Sequence, residues 1–498
     1  MIPLSVAEIA RVTGGTVTGG TGTGGSELPA SGLAASGPAA SGPGDTLVTG
    51  PVVVDSRQAA PGALFAALPG ERVDGHDYAA TAVSGGAAAV LAARPLADVA
   101  APVIVVSDVT LALGLLARAV LDRLPDATVV GITGSSGKTS TKDLTAQVVE
   151  RLGPTVAPEG SLNNEIGLPL TVLRADEKTR YLVLEMSARG IGHISYLTRL
   201  APPRIGAVLN VGRAHAGEFG SVEAVARAKG ELVEALPAGT PGPAGSAGGV
   251  AVLNADDPRV AAMAARTSAR VVTTSATQDR PADVRATGVV LDDLGRASFT
   301  LHLGGATAPV TLRLHGRHHV SNALAAAAVA AELGLDTAAI ADALSAATAR
   351  SGKRMELTRR ADGVLVVNDA YNANPDSTRA AIEALAHLAN GGRRGIAVLG
   401  YMAELGDIAA GSHEEAGRLA ATAGAAVIVA VGDGAAPVLD GARATDGWHG
   451  EAVAAADAQE AVTALRGRLR PGDVVLVKAS KSAGLWLVAD GLLAEVPR

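Results

Sequence analysis

The segment Val129-Val-Gly-Ile-Thr-Gly-Ser-Ser-Gly-Lys-Thr-Ser140 constrains the fold of this chain more than any other. Its apolar start predicts a buried strand, Gly134-Ser135-Ser136-Gly137 a tight loop, and the residues near Thr139 the start of a helix. Glycines at 134 and 137 let backbone N–H groups approach phosphate oxygens, and the helix N-terminus adds partial positive charge. Lys138 is expected to reach the β- and γ-phosphates of a nucleotide, and the Thr139 hydroxyl to ligate Mg²⁺. Ser140 completes the expected ATP-binding run. The spacing is Gly-x-x-Gly-Lys-Thr, shorter than the full phosphate-loop signature, because position 132 is Ile.

An apolar run ending in a polar residue recurs downstream. Tyr181–Leu184 precedes Glu185, Ile205–Leu209 precedes Asn210, and Val250–Leu253 precedes Asn254. Helical patterns lie near Thr139–Leu152, Ser221–Leu236 and Pro258–Ala265. Strand–helix alternation predicts a parallel sheet with right-handed crossovers. Ligands of such sheets bind outside the carboxyl ends of the strands, so these polar ends are expected to converge on one crevice. Further strands are expected at Val52–Val54, Ala63–Ala67, Ala87–Leu91 and Val103–Val106, and later at Val364–Val367, Ile396–Leu399, Val427–Val431 and Val474–Val477. The fold class is α/β, with three domains at 1–125, 126–350 and 351–498. The Gly/Ser/Ala/Pro stretch 18–50 reads as a flexible insert, and Pro237–Gly249 as a surface loop.

Composition removes several function classes. The 498 residues include 42 Lys+Arg, 49 Asp+Glu and no Cys, which excludes disulfides, thiolate metal sites and a Cys nucleophile. Mild acidity and ten aromatic residues argue against nucleic acid as a partner. No apolar run reaches the length of a membrane span; the longest, Ala323–Ala331, stops at Glu332. Met1–Arg11 has no signal-peptide pattern, so a cytoplasmic protein is expected. A monomer is also expected. Only seven basic residues are lysine: Lys138, Lys142, Lys178, Lys229, Lys353, Lys478 and Lys481. A lysine kept in so Arg-rich a chain marks a place where a bulky, permanently charged guanidinium does not serve. Lys178, in a polar turn, reads as chance.

A phosphate loop alone leaves several activities open. No Asn-Lys pair exists for a guanine motif, which argues against a GTPase. A kinase would move phosphate onto a hydroxyl and would not need to handle an amine; a ligase that activates a carboxylate for an amine, and an ATPase coupling hydrolysis to motion, remain. Here the residues resemble a family. Thr133–Thr139 resembles the phosphate loop of the Mur ligases, ATP-dependent amide-forming enzymes of peptidoglycan synthesis. The resemblance returns in Asp55-Ser-Arg57, Pro61–Asp77, Ser161–Pro169, Glu185, Asn210, His215, Ala226–Glu231, Gly316–Asn322, Asn368–Pro375, Gly400–Gly406 and Val477–Ser482. Within the family, Asn368–Pro375 with Met402-Ala-Glu-Leu-Gly406 resembles the member that adds D-alanyl-D-alanine to UDP-N-acetylmuramoyl-tripeptide. The tripeptide-forming member, which typically carries Asp-Asn-Pro-Arg, is the alternative; here Asn374-Pro375 is followed by Asp376 and Ser377. Tyr401 stands where a more typical loop has Asp.

The resemblance implies an N-terminal UDP-binding domain, a central ATP-binding domain and a Rossmann-like C-terminal domain. It implies Mg²⁺ at Thr139, Glu185 and His215, and a carbamylated Lys229 that orients a magnesium ligand. Lys138, Lys229, Glu185 and His215 are the expected catalytic residues. Asn254, His318, Asn322, Arg354 and Asp369 are the further expected ATP contacts. Ser56, Arg57, Asn163, Asn164, Asn372, Asn374, Glu404, Lys478 and Lys481 are expected to contact the other substrates.

Overall fold

The computed structural model describes residues 1–19, 42–70, 73–213, 216–239, 248–277 and 280–494. His215, most of the 18–50 stretch and residues 240–247 of the expected surface loop lie outside them.

The first region contains β1 (Leu4–Ser5), β2 (Thr16–Thr18), β3 (Leu47–Val48), β4 (Val52–Val53), β5 (Ala63–Ala66), β6 (Ala87–Ala92) and β7 (Val103–Val105). Strands β4 to β7 form a parallel ladder, closed by β2 antiparallel to β7. β1 and β3 pair antiparallel beside it. The expectation of a loop running to residue 50 is therefore corrected at both ends. Thr18 closes β2, and Pro43–Asp45 forms a 3-10 turn that leads into β3. The reason is local: the Asp45 carboxylate accepts the Gly42 N–H at 2.9 Å, and Val48 is fully buried in the core.

The central sheet has nine strands: β8 (Thr128–Thr133), β9 (Thr155–Val156), β10 (Tyr181–Glu185), β11 (Ile205–Val208), β12 (Val250–Asn254), β13 (Arg270–Ser275), β14 (Val284–Leu291), β15 (Arg296–Leu303) and β16 (Ala306–His315). Their order is β16-β15-β14-β13-β12-β11-β8-β10-β9. From β9 to β14 every pairing is parallel. β14, β15 and β16 are an antiparallel extension that strand–helix alternation did not anticipate. No helical pattern separates them; Gly295 and the pair Gly304-Gly305 supply the positive φ of their turns. The alternation of β16, with Ala308, Val310, Leu312 and Leu314 buried, is the period of a half-buried strand.

The Ala-rich run is the helix His319–Glu332, and its small side chains let it lie close on the phosphate-loop helix, Lys138–Val149. Ala323 to Ala330 are buried in one core with β8, β11 and β12. No helix of the described residues is long and apolar enough to cross a membrane.

The last region holds β17 (Glu356–Arg359), β18 (Leu365–Asp369), β19 (Gly395–Gly400), β20 (Val427–Val431), β21 (Glu451–Ala455) and β22 (Val474–Lys478), ordered β17-β18-β22-β19-β20-β21. All pairings are parallel except β17 with β18. Two apolar clusters cover its faces. The carboxyl ends of β18 and β22 face those of β8, β10 and β11 across a cavity of about 680 Å³.

Candidate active site

Strand β8 is buried from Val129 to Thr133 and hands the chain to the glycine loop. Gly137 caps the helix with φ +80°, and a Cβ there would sit 2.6 Å from the Asn322 Oδ1 atom. Glycine is thus required twice over, by conformation and by the close approach of the alanine-rich helix. Asn210, just beyond β11, braces the loop: its Oδ1 accepts the Ser136 N–H at 2.8 Å, and its Nδ2 donates to the Ser136 carbonyl at 3.1 Å. The Ser135 hydroxyl accepts the Gly212 N–H at 2.8 Å. Lys138 folds back so that Nζ donates to the Gly134 carbonyl at 2.8 Å. Burial holds the Lys138 pKa below its ordinary value; Glu185 opposes that shift and Arg354 adds to it.

Glu185 ends β10 at 1% exposure. Its carboxylate accepts the Thr139 hydroxyl at 2.7 Å, the Asn163 amide at 2.7 Å and the Ser161 hydroxyl at 3.3 Å. No cation lies within ion-pair distance of it among the described residues. A buried carboxylate and a hydroxyl, both hard oxygen donors with no cation partner, suit Mg²⁺. No group of three or more His, Asp or Glu that could hold a metal ion is found among the described residues.

Lys229 lies on the helix Val222–Glu234, which Ser221 caps through the Ala224 N–H. It is 3% exposed and has no hydrogen-bond or ion-pair partner among the described residues. Burial drives its pKa well down, and the nearby Lys138 charge drives it further, so its amine is held toward the neutral form. Lys142 is the instructive contrast. It is equally buried, yet its ammonium is paired with Asp143 and donates to the Pro158 carbonyl at 2.7 Å.

Across the cavity, Lys478 at the end of β22 meets the Asp369 carboxylate at 2.7 Å and donates to the Asn372 carbonyl at 2.7 Å. Asp369 also accepts the Met355 N–H at 3.0 Å. The connection into this region is strained: Lys353 and Met355 have φ of +62° and +51°, and Glu404 of +63°, without being glycine. Between the first two, the Arg354 guanidinium lies 4.2 Å over the Tyr371 ring, with Lys481 Nζ 5.8 Å from the same ring. Asn374 caps the helix Pro375–Ala389 through the Ser377 N–H and donates to the Ser136 hydroxyl at 3.2 Å, so this half touches the phosphate loop directly. Glu404 accepts the Gly217 N–H on its carbonyl at 3.1 Å, and its carboxylate faces Arg189 at 3.9 Å. The His318 and His319 rings lie 4.3 Å apart, tilted by 40°; burial lowers both pKa values, that of His319 further.

Of the residues expected from sequence, the cavity brings together Ser135 to Ser140, Asn163, Asn164, Glu185, His318, Asn322, Arg354, Asp369, Asn372, Asn374, Glu404, Lys478 and Lys481. Asn254 is not among its lining residues, against the expectation that it contacts the nucleotide. Its Nδ2 donates to the Leu209 carbonyl at 2.9 Å and its Oδ1 accepts the Asp256 N–H at 3.0 Å, so both amide atoms serve the strand ends. Ser56 and Arg57 also stand apart from this cavity, on a 3-10 turn after β4. Arg57 is clamped on Asp55, whose carboxyl its hydrogen bonds hold down at about 2. Lys229 stands behind the lining, and His215 lies outside the described residues. Sequence reasoning missed Arg189, His193, Tyr371 and Asp376, which line the cavity. The signal was proximity: Arg189 and His193 sit in a glycine-rich turn directly after Glu185, and Tyr371 and Asp376 lie in or beside Asn368–Pro375. Tyr401 stacks on His413, whose Nε2 accepts the Met402 N–H at 2.9 Å, so it anchors the loop before Glu404.

Comparison with known proteins gives matches along most of the chain. The Mur ligase family catalytic domain matches residues 51–120, the Mur ligase middle domain 132–330, and the Mur ligase glutamate ligase domain 353–481. A UDP-N-acetylmuramoyl-tripeptide–D-alanyl-D-alanine ligase of Mycobacterium tuberculosis is 48% identical over 531 aligned positions, covering 99% of this chain and 98% of that one. A crystal structure of MurF from Acinetobacter baumannii superposes with a TM-score of 0.82 at 30% identity, covering 99% of each chain. MurF ligase from Thermotoga maritima in complex with ADP superposes with a TM-score of 0.75 at 28% identity, covering 89% of this chain and 97% of that one.

Proposed function

The chain belongs to the Mur ligase family, and from that premise we propose that it joins D-alanyl-D-alanine to UDP-N-acetylmuramoyl-tripeptide at the expense of ATP, in peptidoglycan precursor synthesis. It is an ATP-dependent amide-bond ligase. The observation that carries the reading is the cavity itself: a phosphate loop on one wall, a lysine–carboxylate pair on the other, and a direct Ser136–Asn374 contact between them. The choice within the family rests on the full-length relative and on Asn374-Pro375-Asp376-Ser377, which lacks the arginine of the tripeptide-forming member's motif.

The chemistry has two steps. A peptide carboxylate attacks the γ-phosphorus of ATP, giving an acyl phosphate and ADP. A neutral amine then attacks the acyl carbon, and phosphate leaves as the amide forms. Both partners of the first step are anions, so cations must screen their approach. Lys138 and the N–H groups of the loop would hold the phosphates. Mg²⁺, held by Thr139, Glu185 and His215, would neutralise the developing charge. Lys229 would take up CO₂, release a proton and become a carbamate anion; its burial without a partner, which lowers its pKa, supports this, since only the unprotonated amine reacts.

Asn322, His318, Arg354 and Asp369 would contact the nucleotide. Asn163, Asn164, Asn372, Asn374, Glu404, Lys478 and Lys481 would contact the peptide and the incoming dipeptide. Ser56 and Arg57 would meet the distant UDP end. Domain breaks at 125 and 350, a monomer and a cytoplasmic location are parts of the same proposal. Closure of the two walls would exclude water from the acyl phosphate.

A substrate panel read by phosphate release tests the reading. Release is expected only with UDP-N-acetylmuramoyl-tripeptide and D-alanyl-D-alanine together. A better rate with a UDP-dipeptide and a single diamino acid would establish the tripeptide-forming activity instead. ATP turnover without any amine would point to a motion-coupled ATPase.

A further inference from the structure

The helix His193–Leu200 begins at the cavity wall without a side-chain cap of its own. Its N-cap is Gly192, at φ +92°, which has no side chain to accept the free N–H groups of the first turn. The acceptor comes from another helix. One oxygen of Glu231 accepts the Gly192 N–H at 2.6 Å, and the other accepts the Ser195 N–H at 2.9 Å. Glu231 is 6% exposed, so both oxygens are spent on this one turn, and its negative charge sits at the positive end of the helix.

The turn so held is part of the cavity. Ser187, Ala188, Arg189 and His193 line it, and the Ser187 N–H donates to the carbonyl of Asn163, an expected substrate contact, at 3.0 Å. Within the turn, the Arg189 N–H donates to His193 Nδ1 at 3.3 Å. Glu231 lies two residues beyond Lys229 on the helix Val222–Glu234. A single helix therefore carries Lys229 and grips the turn that follows Glu185.

We propose that Glu231 is a positioning residue for ligation, fixing the Ser187–His193 wall against which the peptide of the nucleotide-sugar substrate lies. The proposal rests on the ligase reading of the cavity. It assigns Glu231 no contact with any reacting atom. Its effect is expected on one substrate and not on the others, because the nucleotide wall is built from different segments.

The test is Glu231→Gln in the full chain, with kcat and KM measured for each substrate, ADP affinity measured by titration, and melting followed separately. The amide keeps the shape but turns an N–H toward one of the two backbone donors. KM for the UDP-tripeptide should rise on the order of tenfold, with ADP affinity and KM for ATP unchanged. Glu231→Asp, which keeps the charge but shortens the reach, should fall between parent and Gln, and it carries the test if the Gln variant folds poorly. Ser221→Ala, which removes the cap of the lysine-bearing helix, is the stability control: it should melt earlier with every KM unchanged. If Glu231→Gln lowers melting and leaves all KM values at the parent's, or weakens ATP and tripeptide equally, Glu231 is only a helix cap and the proposal fails. A parent protein inactive on the tripeptide pair would instead overturn the ligase reading.

Discussion

In and behind the phosphate-loop wall of the cavity, ionisable groups stand without ion-pair partners. Lys229 has none among the described residues, Lys138 bonds a carbonyl, and Glu185 bonds neutral donors. On the facing wall Lys478, 2% exposed, is already paired with Asp369 at 2.7 Å and bonded to a carbonyl. A buried charge without a partner is costly and persists where a ligand supplies the partner. A buried pair that is already complete positions what surrounds it. The difference separates a wall poised to receive anions and a cation from a wall that is a finished scaffold.

The strongest way to break this contrast is Lys138→Ala. Ligation should fall by about a thousandfold or more, because the cation facing the transferred phosphate is lost, while melting stays close to the parent's. Near-normal phosphate release would remove the phosphate-loop wall from the chemistry.

Lys229 sharpens it further. Lys229→Ala should cost on the order of a hundredfold, and acetate or formate should restore part of the rate by filling the vacated anion position. Lys229→Arg should be as poor as Ala, since guanidinium stays charged and takes up no CO₂. Active Arg with no carboxylate rescue would make Lys229 a simple cation. A stability measurement fixes the sign independently. The folded-state pKa lies well below the ordinary lysine value, so between the two the unfolded chain binds a proton that the fold does not. Stability should therefore rise with pH through that window and be penalised below it. In CO₂-free buffer Lys229→Met should flatten this slope and raise melting at neutral pH; an unchanged slope would show that the amine is protonated in the fold.

The smallest expected effect on turnover is on the scaffold wall. Asp369→Asn strands the Lys478 ammonium and should cost about 3 kcal/mol of stability, read by denaturant titration, with a lesser loss of rate than at Lys138. Combining it with Lys478→Met should return much of the stability without returning activity. A single variant as stable as the parent would mean that the pair is no scaffold.

Much of the fold was legible because it follows from local pattern. The strand–loop–helix at 129–140 depends on neighbours in sequence, and so do the polar strand ends at Glu185 and Asn210; both are where the pattern put them. The antiparallel strands β14 to β16 were missed because the reading followed strand–helix alternation, and their period-two signal was not weighed against it. The site divides the same way. Gly137 and Lys138 are dictated by the loop they occupy. Three lysines that look alike in sequence have different fates: Lys142 paired with its neighbour Asp143 inside the core, Lys229 buried alone, Lys478 paired across strands. Asn254 ends β12 and Asn210 lies just beyond β11, yet Asn254 bonds the backbone of Leu209 and Asp256 while Asn210 reaches the loop. Contacts such as Ser136 with Asn374, or Glu231 with Gly192, join segments far apart in the chain. Partnership and burial set the charge state of each side chain, and both are properties of the packed molecule; the sequence alone determined which groups were available.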